Sequence, residues 1–215
     1  MFPSSFIELL KEQLLLPLPG FSEQQKMTPY NRLNYDFPDI VALNPKKSSV
    51  LIIIYPYKEQ FSTVYIKRTE YKGVHSGQIS FPGGKFEPSD ITIENTALRE
   101  AQEEIGVNSS QVEILGKLSD LYISVSNFLV TPFIGYTSFR PAFEIQEKEV
   151  AALIEVDLQA VLLAKERVAD ESIKTGSDIA ITAPVYNIQG TKVWGATAMI
   201  TSEFVKVVQL VREKM

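Results

Sequence analysis

An α/β fold grading into α+β, built on a mixed β-sheet, is predicted for this chain by three observations. Short apolar and β-branched runs recur from Ser49 to Trp194 and read as strands. Stretches with helical periodicity are few and are spread among those runs, one near each end of the chain. At 215 residues and 45% hydrophobic content, with no repeat or low-complexity tract, the chain is the size of one domain with a sizeable core.

The first element is a short helix. Ser5-x-x-Glu8 resembles a capping box ahead of Phe6, Ile7, Leu9, Leu10, Leu14 and Leu15, and Pro17 and Pro19-Gly20 stop it. Residues 20–48 are rich in Pro, Asn, Gln and Tyr and read as an irregular arm. Residues 1–48 are therefore set apart as an N-terminal helix and arm, and 49–215 as the main domain. The arm either covers a neighbouring subunit in a homodimer or packs on its own domain, the second being the simpler reading.

Val50 to Tyr57 and Ser62 to Arg68 are expected to pair as strands across a polar turn. A glycine-punctuated loop, TEYKGVHSGQIS, leads to a strand end at Ile79 and Phe81 and a turn at Pro82-Gly83-Gly84. A polar loop closed by Asp90 then enters a helix. Ile93, Ala97, Leu98, Ala101 and Ile105 form its buried stripe, Asp90 or Thr92 caps its start, and Gly106 ends it in a left-handed conformation. Gln111 to Ile123 and Phe128 to Thr137 read as strands, as does Glu149 to Val156, followed by a helical run from Leu158 to Lys165. A hairpin turning at Gln189-Gly190 joins Ile181–Ile188 to Thr191–Trp194. An amphipathic helix from Ser202 to Lys214 closes the chain, with Phe204, Val207, Val208 and Val211 inward.

Composition excludes several function classes. A net charge of −5 and a pI near 5.1 argue against nucleic acid as a partner, because phosphate contacts need a basic footprint. With no cysteine and one histidine, disulfides, thiol catalysis, cysteine–zinc centres and multi-histidine metal sites are ruled out. The N-terminus lacks a basic leader and no apolar run approaches membrane-spanning length, so no membrane association and a cytoplasmic location are expected.

The central helix is unusual on its other side. Glu100, Glu103 and Glu104 stand at i, i+3 and i+4, so their carboxylates share a face. Like charges at that spacing cost an isolated helix a few tenths of a kcal/mol per pair, and a merely soluble helix would interleave lysines. The cluster is better explained as an acidic face on a cleft with a cation before it. Oxygen donors suit magnesium or manganese, and the glycine pair lets backbone approach the same place, where a main-chain carbonyl would add a ligand.

These residues carry a family resemblance. Gly84, Arg99, Glu100, Ala101, Glu103, Glu104, Gly106 and Val107 fit the Nudix box, G-x5-E-x7-R-E-U-x-E-E-x-G-U, where U is aliphatic. Asp90 stands where the first Glu is expected, and eight residues, not seven, separate it from Arg99. That lengthened loop resembles the branch that hydrolyses coenzyme A. Arg68-Thr69, His75-x-Gly77-Gln78 and Phe81-Pro82-Gly83-Gly84 are similar to that branch's extra motif, and Val130 to Phe133 and Trp194 to Ala198 to further stretches of it. The motif's usual arginine is replaced by Gly73, beside Lys72.

The resemblance implies an α/β/α sandwich and cleavage of a nucleoside diphosphate linkage by a Mg2+- or Mn2+-dependent pyrophosphohydrolase. The implied cation ligands are Glu100, Glu104, Glu103 and Gly84, and the substrate contacts Arg68, Lys72, His75, Gly77, Gln78, Gly83 and Lys85. Arg99 either clamps phosphate or, as the stronger expectation, pairs with Asp90 or a box glutamate. The general base in the family is a box glutamate, here Glu103, or a later loop glutamate. Glu147 and Glu149 are the later candidates, and the pair Glu149-Val150 resembles the family's loop better. Trp194 is expected in the core and not on a nucleobase. Coenzyme A or acyl-CoA is the first substrate expectation. ADP-ribose, a nucleotide sugar or a dinucleoside polyphosphate is the alternative that Gly73 supports, and a non-catalytic nucleotide-binding module the third.

Overall fold

The computed structural model describes residues 5–30, 42–70, 77–164, 168–174 and 180–215. At its centre lies β1, Lys46–Tyr57, a strand of 12 residues that starts just ahead of the expected boundary at 49. On one side it runs parallel to β7, Phe128–Tyr136. On the other it pairs antiparallel with two partners in turn. These are β4, Gly83–Lys85, along its first half, and β2, Gln60–Arg68, at its far end. β2 also pairs with β3, Ile79–Ser80, and β8, Val150–Asp157, while β5, Glu113–Lys117, and β6, Leu121–Ile123, flank β7. The sheet is mixed, as expected.

β1 reads as an unbroken apolar run because both its faces are covered. Leu51, Ile53 and Tyr55 pack with Ala97, Ala101 and Ile105 of α3, Ile93–Ile105. Ile52 and Ile54 face the opposite way, into a core with α1, Phe6–Leu14, and α5, Gly195–Arg212. Strand alternation thus gives helix, sheet, helix layers. The turn from β1 to β2 places Lys58 and Glu59 at φ 48° and 61°, the backbone twist that a two-residue hairpin favours.

A second, three-stranded antiparallel sheet orders β11, Thr191–Val193, beside β10, Ala180–Ile188, and β9, Ala169–Lys174. Tyr186, Ile188 and Val193 join it to the α1/α5 core, which α4, Leu158–Ala164, also enters. Residues 20–27 carry a short helical turn, α2, Phe21–Gln24, then a 3-10 turn ending at Met27, which is buried in that same core. Glu203 of α5 is fully buried, and its carboxylate accepts from Gly20 N (2.9 Å), Gln24 Nε2 (2.8 Å) and Ser119 N (3.3 Å).

Four expectations are corrected, and one strand arises that was not expected. Ser5 makes no side-chain cap, because its backbone is already helical at φ −74°, ψ −6°. The strand expected from Gln111 to Ile123 is two, β5 and β6, preceded by a 3-10 turn; β5 carries a register shift before Gly116, which abuts Leu14. α5 begins at Gly195 and not at Ser202; Trp194 is the residue before its first turn and only half-buried, so it is not a core side chain. β9, whose sequence ADESIK shows no apolar alternation, was not expected at all. Of the two residues expected to cap α3, Thr92 takes the role, its hydroxyl accepting from Asn95 N, which leaves Asp90 to another task.

Candidate active site

Backbone placement comes first. Gly83 and Gly84 sit on β4 against Val50 and Ser49 of β1, with Leu51 N donating to Pro82 O at 2.8 Å. A Cβ on Gly83, whose φ is 155°, would lie 2.3 Å from Ser49 O and 2.6 Å from Val50 Cα. A Cβ on Gly84 would lie 2.3–2.5 Å from the carboxylate of Glu100. The first glycine lets two strands approach; the second makes room for an acid of α3.

The three helix acids occupy different environments. Glu104 is buried, 1% exposed, and not on a solvent-side face as its spacing implies. Its Oε2 accepts from Gly83 N at 2.8 Å and its Oε1 lies 3.3 Å from Arg68 Nη1. Burial pushes its pKa up to about 7, against the opposing pull of the Gly83 N–H and Arg68, with the charges of Glu100 and Glu149 adding to the rise. Glu100 is mostly buried and is also raised, by burial first, despite Arg99 Nη1 at 3.0 Å. Glu103 is exposed and accepts from Arg99 Nη1 at 2.9 Å.

Arg99 takes the pairing role. Its Nε donates to Asp90 Oδ1 at 2.6 Å and its Nη2 to Asp90 Oδ2 and Lys85 O at 3.1 Å. Asp90 also accepts from Thr96 Oγ1 and Glu87 N, and Arg99 beside it holds its carboxyl far below the usual carboxylate range. One arginine thereby fixes the loop after β4 to α3. The lengthened spacing from Asp90 to Arg99 includes Ile91, which sits at φ 65°, ψ −50° in a three-residue turn closed by Thr92 N donating to Asp90 O. Its side chain is 83% exposed, so packing supplies nothing towards that conformation.

The loop between β7 and β8 closes the site from the other side. Glu144 N donates to Ile105 O and Gln146 N to Glu104 O, so two carbonyls of the last turn of α3 are satisfied by this loop. Glu149 follows; its carbonyl accepts from Thr69 N, and Thr69 Oγ1 donates to Lys148 O. The Glu149 charge raises both Glu100 and Glu104, whereas Glu147 figures in neither shift. Both are exposed.

Arg68, Gly77, Gln78, Gly83, Gly84, Lys85, Arg99, Glu100, Glu103, Glu104 and Glu149 therefore come from β2, β4, α3 and two loops that meet at the N-terminal half of β1. Lys85 is exposed, with its carbonyl turned to Arg99. Lys72, Gly73 and His75 lie outside the described residues. What sequence reasoning missed is Thr69, which ties the end of β2 to the Glu149 loop; its place directly after Arg68 in the motif was the available signal.

Oxygen donors of the hard kind dominate the site, which suits a divalent cation. Among the described residues, no three acidic or histidine side chains are gathered closely enough to chelate an ion in this arrangement. Arg68 and Arg99 occupy the carboxylates instead. The donor chemistry fits; the side chains would have to exchange arginine partners for the ion.

Two measurable consequences follow. Replacing Arg99 by Ala leaves the buried Asp90 carboxylate without its cation and is expected to lower stability by about 2–3 kcal/mol, since Arg99 itself is partly exposed. Urea denaturation reads this directly. The folded chain holds the Glu104 proton more tightly than the unfolded chain, whose ordinary value is near 4.5. Stability in EDTA is therefore expected to fall, by roughly 3 kcal/mol, as pH rises from about 4.5 through about 7. Asp90 has the opposite sign, and its contribution disappears only at more acid pH. Urea midpoints at pH 5 and 7.5 separate the two.

Comparison with known proteins gives the following. Residues 45–175 match the family model described as NUDIX domain. A protein of Yersinia enterocolitica named "Uncharacterized Nudix hydrolase NudL" is 34% identical over 163 residues, covering 76% of this chain and 82% of its own. The protein of that name from Yersinia pestis is 34% identical over 155 residues, 72% and 76% of the two chains. Among solved structures, a Nudix hydrolase from M. smegmatis, RenU, superposes with a TM-score of 0.51 at 13% identity, over 86% of this chain and 95% of that one. At that identity the likeness speaks for the fold alone.

Proposed function

The chain belongs to the Nudix family and is a hydrolase of a nucleoside diphosphate linkage, and from that premise we propose that it cuts coenzyme A or acyl-CoA. The products are adenosine 3′,5′-bisphosphate and (acyl-)phosphopantetheine. What supports this reading is the position of the segment that resembles the coenzyme A motif. Arg68 N donates to Gln78 O and Gly77 N to Thr69 O, so the two ends of that segment are zipped together beside the Arg68–Glu104 pair. A motif that reads substrate has to border the reacting acids, and the ends of this segment lie next to Glu104 through Arg68.

In the proposed reaction a water oxygen bonds to phosphorus while the bridging P–O bond breaks, and the bridging oxygen leaves with the other phosphate. Nudix enzymes generally use divalent metal ions; Mg2+ or Mn2+ is proposed here, held by Glu100, Glu104 and Glu103 with the Gly84 carbonyl. Such an ion supplies charge neutralisation on the diphosphate and a more acidic bound water. Glu149 accepts the proton of the attacking water, with Glu103 the other candidate. Arg68, Gly77, Gln78, Gly83, Lys85 and the loop residues Lys72 and His75 contact the substrate, and Arg99 holds the loop after β4 against α3.

One observation favours a second reading. Gly73 replaces the arginine usual in the coenzyme A motif, which loses a planar fork for phosphate and leaves ADP-ribose, a nucleotide sugar or a dinucleoside polyphosphate as the competing substrate. A panel of these compounds with Mg2+ and Mn2+ decides. kcat/KM for coenzyme A or an acyl-CoA is expected to exceed the others at least tenfold, with adenosine 3′,5′-bisphosphate released. The reverse order overturns the coenzyme A assignment and leaves the hydrolase standing.

A further inference from the structure

The loop that carries Glu149 leaves β7 at Tyr136, far along β1 from the glycines of β4, where Thr137 N donates to Ile54 O at 3.0 Å, and it is next anchored by a side-chain cluster with no part in the site described above. Arg140 donates Nε to Glu155 Oε2 at 2.8 Å and Nη2 to Glu155 Oε1 at 2.7 Å, a forked pair. Its guanidinium carbon stands 5.1 Å from the ring centre of Tyr57 and 5.3 Å from that of Phe143. From inside the core the buried Tyr55 donates its hydroxyl to Glu155 Oε2 at 2.9 Å, and its ring meets Phe143 edge-on at 5.5 Å.

This cluster fixes the start of the loop with unusual completeness for an exposed segment. Arginine supplies a planar fork that meets both carboxylate oxygens of Glu155, with two aromatic rings close to its guanidinium. Phe143 ties the loop back under Arg140 just before Glu144 and Gln146 reach the carbonyls of Ile105 and Glu104. A Cβ on Gly106 would touch Glu144 at 3.0 Å, so the crossing over the end of α3 is close. From there the chain passes to Thr69 and Glu149. The path from the Arg140 fork to Glu149 thus runs through two backbone hydrogen bonds to the helix that carries the box acids.

We propose that Arg140, clamped on Glu155 and Tyr55, is a positioning residue for Glu149, setting where its carboxylate stands over the α3 acids. The role rests on Glu149 being the proton acceptor. Releasing the clamp lets the loop ride off the last turn of α3 and moves Glu149 from its water while the metal-binding and substrate-binding residues stay in place. The loss then falls on kcat with KM little changed. A displacement of about 1 Å is enough for a loss on the order of 10²-fold.

The test is a double-mutant cycle on the purified full-length enzyme with coenzyme A and Mg2+, or with whichever compound of the panel is turned over fastest. Arg140→Gln is expected to lower kcat 30- to 100-fold, Arg140→Lys to restore little because it lacks the fork, and Glu149→Gln to lower kcat at least as much. In the Glu149→Gln background, Arg140→Gln is expected to cost less than threefold. Amide exchange, read without metal or substrate, is expected to speed at Glu144 and Gln146 in Arg140→Gln and to stay unchanged in Glu149→Gln. An equal loss from Arg140→Gln in both backgrounds, or unchanged kcat in the single variant, overturns the positioning role. If Glu149→Gln alone keeps full kcat, the base assignment fails first and the role falls with it.

Discussion

Glu104→Gln is expected to lower kcat/KM by about 10³-fold or more while leaving the folded chain as stable as the parent, or slightly more so. The activity loss follows from removing a buried negative charge that the proposed cation requires. Preserved folding rests on geometry. The Gln carbonyl oxygen still accepts from Gly83 N, and at neutral pH the carboxyl of Glu104 is already partly protonated, its pKa raised by burial to about 7. An amide in that pocket costs little; Arg68 loses a partner at 3.3 Å but keeps access to solvent. Steady-state kinetics and a urea melt in EDTA, read side by side, check both halves. Wild-type turnover in this variant would remove the metal site proposed for α3.

The second large effect separates two adjacent glycines. Gly83→Ala is expected to destabilise by about 3 kcal/mol or more, because the new methyl meets main-chain atoms of Ser49 and Val50 that cannot retreat without parting β4 from β1. For Gly84→Ala the nearest atoms are those of the Glu100 carboxylate, the far end of a flexible side chain paired with Arg99. That end rotates away, so the fold is expected to survive within about 1 kcal/mol while kcat falls on the order of 10²-fold. Thermal melts of both proteins beside their kcat values test the split. Equal loss of stability in the two would mean that Glu100 is as immobile as the strand.

Much of this arrangement was legible in the chain. The apolar stripe of α3, its glycine terminus and the acidic spacing all come from periodicity, which local geometry dictates, and β1 and β7 from their β-branched runs. Arg99 was expected to pair with Asp90 or a box glutamate, and it meets both, the first only nine positions away. What failed to show was set by tertiary structure. Spacing places Glu104 beside Glu100 and Glu103, but only the β4 N–H brought over from Gly83 explains a carboxylate with no exposure. The early start of α5 lacks any Ser, Thr, Asp or Asn at its cap, and β9 is polar because it lies at the edge of a small sheet. The Arg140 clamp joins residues from three elements, and no local pattern announces it.

Glu203 has a practical side. The matched segment begins at residue 45 and stops at 175, yet the carboxylate that gathers Gly20, Gln24 and Ser119 sits beyond its far end, and two of the groups it grips precede its start. Anyone trimming the polypeptide to the recognisable family segment would strip α1 and α5 from the sandwich, leaving α4 as the helix on the Ile52 and Ile54 side of the central strand and uncovering much of that face. The fold therefore extends beyond the matched segment: apolar packing joins the two ends of the chain, and the buried Glu203 adds a polar tie between them.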